Sequence, residues 1–209
     1  MKSQLVSKLG SYYGEKIREF GASAKGVDWK DESSQKLRFK HLLKIVDDDK
    51  HITINDLGCG YGALYLYICQ ETTFEVSQYH GYDISDDMLA SARNLISDEN
   101  VSFAKSDKIL IDADYSLASG IFNVRLDTDR KVWEEFILDT LFNIDERSLK
   151  GFAFNCLTSY VDYEVDRLYY GNPLFFFDFC KRNFSKNAAL LHDYGLYEWT
   201  ILVRKEVRT

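Results

Sequence analysis

Proline is nearly missing from this chain, with one among 209 residues, and no stretch rich in Pro, Gly or Ser interrupts it. Such stretches mark linkers between independently folding units, so their absence predicts a single domain. Cysteine is scarce too. Cys59, Cys69, Cys156 and Cys180 show neither Cys-x-x-Cys spacing nor a neighbouring His cluster. That excludes a zinc centre or a disulfide framework and predicts reduced, mostly packed thiols, with no metal indicated. Basic residues are outnumbered, 26 Lys and Arg against 33 Asp and Glu, for a formal charge of −7. Broad binding to a phosphate backbone draws on clustered cations, so a small molecule or a protein is a better-matched partner than nucleic acid. No apolar run reaches the roughly 18 residues of a bilayer span. The N-terminus lacks the charged start, apolar run and cleavage site of a secretory signal, and the expectation is a cytoplasmic protein without a membrane partner.

What is present is the material of a globular core: 45% hydrophobic residues, with 14 each of Tyr and Phe crowded toward the C-terminal third. The segment 34–46 places Leu37, Leu42, Ile45 and Val46 near helical spacing and runs into the polar turn Asp47-Asp48-Asp49-Lys50. Strands are predicted at 51–57, 79–84, 101–104, 115–119 and 151–157. Between them come helices at 63–69, after Ser85 with a face of Leu89, Ala92, Leu95 and Ile96, and at 130–143 with a face of Val132, Phe136, Leu138, Leu141 and Phe142. Pro173 opens a further aromatic helix through residue 184, and 188–192 with 197–204 pair as an antiparallel hairpin around Asp193-Tyr194-Gly195.

Alternating strands and helices imply an α/β fold of three layers: a doubly wound, mostly parallel sheet of about seven strands, made mixed by the C-terminal hairpin. The expected organisation is an N-terminal lid or helical extension (1–33), a cofactor-binding core (34–157), a substrate-side insertion and helix (158–187) and the terminal hairpin (188–205).

In such sheets a ligand sits beyond the carboxyl ends of the strands, and the first strand-to-helix loop supplies backbone contacts. Here that loop is Gly58-Cys59-Gly60-Tyr61-Gly62, glycine-rich so that the chain turns sharply and a ligand can approach the backbone. Asp56 precedes it on the first strand, and Asp83 ends the next strand 21 residues beyond Gly62, where a carboxylate can accept bonds from ribose hydroxyls. A nicotinamide dinucleotide would want glycine where Ala63 stands.

The run Ile54-Asn55-Asp56-Leu57-Gly58-Cys59-Gly60-Tyr61-Gly62 resembles the first motif of the Rossmann-like class I S-adenosylmethionine-dependent methyltransferases, and the resemblance covers roughly residues 40–125. It implies that Gly58, Cys59, Gly60 and Gly62 cradle the methionine part of S-adenosylmethionine and that Asp83 holds the ribose. It further implies that Ile84 and Met88 line the adenine pocket, that Ser106 and Asp107 meet the adenine amino group, and that Ser119 with its neighbours to Asn123 faces the methionine end and the substrate.

For the acceptor, the segment 119–123 reads Ser-Gly-Ile-Phe-Asn, which does not resemble the motif of enzymes that methylate amino groups of nucleic-acid bases. The expected reaction is methyl transfer to an O or N atom of a small polar metabolite such as a sugar or an amino-acid derivative. The alternatives are an RNA or protein methyltransferase, with Lys36, Arg38 and Lys40 as a local basic patch, and a non-catalytic regulatory protein that binds the cofactor. His192, beside Asp193, is the candidate general base, because imidazole titrates near neutral pH. Asn123, Tyr163, Arg167 and Tyr169 are the candidate acceptor contacts, and the state expected in solution is a monomer or homodimer.

Overall fold

The computed structural model describes residues 2–47 and 50–206; Asp48 and Asp49 of the expected polar turn lie outside the described residues. Helix α1 (Lys2–Phe20) and a 3-10 turn (Lys25–Val27) precede α2 (Glu32–Leu42). The core then follows as β1 (His51–Leu57), α3 (Ala63–Glu71), β2 (Glu75–Asp83), α4 (Asp86–Leu95), β3 (Val101–Lys105) and β4 (Ala113–Ala118). After it come α5 (Arg130–Glu146), β5 (Ser148–Leu157), α6 (Pro173–Asn183), β6 (Ala188–Leu191) and β7 (Glu198–Arg204).

Local chemistry sets the helix starts. Asp31 accepts from the Ser34 amide at 2.8 Å ahead of α2, Ser85 from Met88 at 3.3 Å ahead of α4, and Asn172 from Leu174 at 2.9 Å ahead of α6. Each satisfies an amide that has no partner within its helix.

The seven strands form one sheet in the order β3-β2-β1-β4-β5-β7-β6. Strands β1 to β5 run parallel, while β7 is antiparallel to both β5 and β6. This is the doubly wound mixed sheet predicted, with its order reversing between β1 and β4. Helices α5 and α6 cover one face through Trp133, Leu141, Phe176 and Cys180 against Phe152, Phe154 and Trp199. Helices α2 and α3 cover the other through Phe39, Leu42, Leu64 and Ile68 against Ile52, Ile54, Tyr79 and Leu117.

Two predicted helix faces are corrected. The buried stripe of α5 is Trp133, Ile137, Thr140, Leu141 and Ile144, and Phe142 is half exposed. Both this stripe and the predicted one have helical spacing, and Trp133 decides between them by donating its indole N–H to the Phe122 carbonyl at 3.0 Å. In α4 the buried residues are Met88, Leu89 and Ala92, with Ile96 just past its end, while Leu95 points outward. Strand β2 starts at Glu75, four residues earlier than its apolar run, because its register slips opposite Ile52 and Thr53 and leaves polar Ser77-Gln78 within the strand. The N-terminal segment is a helical extension: α1 packs on α4 and on the turn that follows it.

Candidate active site

The chain passes from β1 into α3 through the glycine loop, which is tied down from β2. The amides of Gly58 and Cys59 both donate to the Tyr82 carbonyl, at 2.7 and 3.0 Å. Gly58 has φ 77°, and a Cβ there would stand 2.1 Å from the Ile121 side chain. Only glycine supplies that combination of backbone and space. Asp83 completes the tether: its Oδ2 accepts from the Gly60 amide at 2.9 Å and its Oδ1 from the Ser85 amide at 2.8 Å. Burial raises the Asp83 pKa, and these backbone donors pull it back.

Asp56 is also buried and accepts from the Tyr79 hydroxyl at 2.5 Å. Removal from water pushes its pKa up to about 7; the Tyr79 bond lowers it, and the neighbouring charge of Asp83 raises it further.

Above the loop lies a cavity of about 110 Å³ at the carboxyl edge of the sheet. Ten residues expected at the cofactor line it: Asp56, Gly58, Cys59, Gly60, Asp83, Ile84, Met88, Ser106, Asp107 and Ser119. Gly62 does not; it turns the chain into α3 with φ 84° and packs against Ile96. The Ser119 Oγ is buried without a protein partner.

The opposite wall was not foreseen residue by residue. Val6, Leu9 and Tyr13 of α1, with Val27 and Trp29, close the cavity from the solvent side. The spacing of Val6, Leu9 and Tyr13 at i, i+3 and i+7 is that of one helix face, in the segment expected to be a lid or helical extension. Asp28, at φ 61°, anchors this cap. It accepts from the Tyr12 hydroxyl at 2.6 Å and pairs with Lys16 at 3.2 Å and Arg167 at 3.3 Å.

The expected acceptor contacts and base lie elsewhere. His192 is exposed on the terminal hairpin with its ring 5.8 Å from Tyr160, because the hairpin tip projects past the sheet edge. Asn123 is buried between β5 and β7, accepting from the Leu157 amide at 2.9 Å and donating to Glu198 at 3.3 Å. Tyr163 is 77% exposed. Tyr169 is buried in the core with its hydroxyl donating to Glu134 at 2.9 Å, and Arg167 serves Asp28. Arg38 is no surface cation either: it is buried against Glu198.

Charge is one-sided in the cavity. Its lining contains Asp56, Asp83 and Asp107 but, among the described residues, no Lys, Arg or His.

Comparison with known proteins agrees with this geometry. The family described as a methyltransferase domain matches residues 48–141. The Mycobacterium tuberculosis protein Rv1506c, a methyltransferase by assignment, is 48% identical over 166 residues, covering 78% of this chain and 99% of its own. Among solved structures, magnesium protoporphyrin IX methyltransferase from Synechocystis PCC 6803 with bound S-adenosylhomocysteine superimposes with a TM-score of 0.64 at 12% identity, over 99% of this chain and all of that one. The DhpI complex with S-adenosylhomocysteine gives 0.66 at 15% identity over 98% of each chain. The chain belongs to the methyltransferase family of that Mycobacterium tuberculosis relative and has the Rossmann-like fold of the class I S-adenosylmethionine-dependent methyltransferases.

Proposed function

We propose that this chain transfers a methyl group from S-adenosylmethionine to an oxygen or nitrogen atom of a small polar metabolite. The observation that carries the reading is a cavity built on the glycine loop whose ionisable lining at neutral pH is entirely acidic. Such a lining favours a ligand with a sulfonium and an ammonium group and opposes an anionic nucleotide.

The residues present fit that cofactor. Asp83 accepts from the Gly60 amide on Oδ2 and the Ser85 amide on Oδ1, and its carboxylate retains acceptor capacity for ribose hydroxyls. Asp107 with Ser106 would meet the adenine amino group, and Ile84 and Met88 would flank the ring. Gly58 and Gly60 bring bare backbone to the methionine end, where Asp56 and the unpartnered Ser119 hydroxyl offer an acceptor and a donor. When bound, the cofactor supplies an electrophilic methyl group. The protein's part is to hold the acceptor's lone pair in line with it and to exclude water. With no imidazole in the lining, alignment carries most of the catalysis, and the acceptor's proton leaves to water or a carboxylate.

The cap formed by α1, Val27 and Trp29 is the element whose opening would admit a nucleoside-sized molecule. Titration calorimetry with S-adenosylmethionine and S-adenosylhomocysteine tests the reading. Binding of both is expected, and folded protein that takes up neither rejects it.

A further inference from the structure

Trp29 forms the part of the cavity wall nearest the end of β4, and it is held from two sides. The Arg38 guanidinium carbon lies 3.9 Å from the centre of its ring. A Cβ on Gly120 would fall 2.2 and 2.3 Å from ring atoms Cζ2 and Cη2 but 3.5 Å from Cε2, so the benzo edge of the indole abuts bare backbone and the face opposite Arg38 is not covered by it. Arg38 is itself fixed by Glu198, at 2.7 and 2.9 Å, and Glu198 by Asn123. The result is an aromatic surface ordered before any ligand arrives, which lowers the entropic cost of binding to it.

We propose that Trp29 is the platform for the methyl acceptor, and that the acceptor is an uncharged ring with a flat apolar face. The inference rests on the reading above, in which Asp56, Asp83 and Asp107 are taken up by the cofactor. What then remains in the cavity lining is neutral, including the Tyr13 phenol, the Gln35 amide, Val27 and Ile121. A carboxylate or phosphate on the acceptor would be buried here without a counterion, at high desolvation cost. The Arg38 guanidinium is already neutralised by Glu198 through Nε and Nη2, and its remaining Nη1 belongs to a residue outside the cavity lining. An ammonium is disfavoured for a second reason. With Arg38 against one indole face, the ring's attraction for another cation is largely spent, whereas a flat neutral surface still gains by stacking. A protonated amine also has no lone pair to attack with. This narrows the acceptor away from amino-acid derivatives and toward either a deoxygenated sugar face or an aromatic ring.

The test uses full-length protein labelled with 5-fluorotryptophan and saturated with S-adenosylhomocysteine, and follows the Trp29 fluorine resonance, identified by its loss in Trp29→Leu. Two pairs of probes are titrated: a methyl 6-deoxyhexoside against a hexuronate, and phenol against benzoate. At least one neutral probe is expected to move the Trp29 resonance and to bind about tenfold more tightly than its carboxylate partner, and the responding pair identifies the source of the flat face. Trp29→Leu should weaken that probe about tenfold, and by more than it weakens S-adenosylhomocysteine. Equal or tighter binding of the carboxylates, no movement of Trp29 by any probe, or an affinity indifferent to Trp29→Leu overturns the platform. Calorimetry on the same samples separates the two failures: absence of S-adenosylhomocysteine binding rejects the cofactor reading, whereas normal binding with any overturning result rejects the platform alone.

Discussion

Arg38 and Glu198, 160 residues apart in the chain, meet in a buried two-pronged ion pair, Nε to Oε2 at 2.7 Å and Nη2 to Oε1 at 2.9 Å. Burial raises the Glu198 pKa, and the guanidinium beside it pulls it down. Removing one partner strands the other charge in the interior, which costs about 3–5 kcal/mol, whereas replacing both with apolar groups costs far less. Arg38→Met is therefore expected to lower unfolding stability by that amount. The double variant Arg38→Met/Glu198→Leu should recover most of it, as read by urea denaturation.

Asp56 makes stability depend on pH. Its folded pKa of about 7 lies above the ordinary carboxylate value of 3.8. A carboxyl raised in this way contributes stability below its unfolded pKa, and that contribution is lost as pH rises through the folded value. Asp56→Asn does not titrate. Relative to it, the native protein should lose up to roughly 4 kcal/mol between pH 4 and pH 8, measured by denaturation of both proteins across that range.

Asp83 is expected to matter twice, as loop tether and as ribose acceptor. Hydrogen bonds to a buried carboxylate are each worth about 1.5–3 kcal/mol. Asp83→Ala should therefore weaken S-adenosylhomocysteine binding by about tenfold or more, with Asp83→Asn intermediate because it keeps one acceptor. Calorimetry on the two variants decides; unchanged affinity in Asp83→Ala would remove the residue from the site.

The pairing of Asp28 with Arg167 is a clasp between the cap and the segment after β5. Arg167 is about half exposed, so Arg167→Ala should change stability by less than about 1 kcal/mol. Release of S-adenosylhomocysteine, followed by stopped-flow fluorescence, should nevertheless be faster, because the cap opens more readily.

Most of the architecture was legible in the residues. The order of strands and helices, the terminal hairpin, the N-cap at Ser85 and the helix start at Pro173 follow from local chemistry that a sequence displays directly. Ten of the eleven residues expected at the cofactor line one cavity, since they sit at or just beyond the carboxyl ends of β1 to β4. Gly62 differs because a glycine can serve the turn into a helix as well as a ligand.

The acceptor side was not legible. Tyr163, Tyr169, Arg167, Asn123 and His192 have the right chemistry, but each points to a partner or to solvent that spacing along the chain cannot reveal. Arg38 reversed in the other direction, from a local basic patch to a buried residue that backs the Trp29 wall. The sequence by itself determined the doubly wound sheet and the glycine loop with its acidic partners, because hydrophobic period and glycine spacing act over a few residues. Only the tertiary structure decided what closes the cavity. That wall is assembled from α1, Val27 and Trp29 against the loop after β4, braced by Arg38 on Glu198 160 residues away, and the spacing of α1 alone does not say what its apolar face meets.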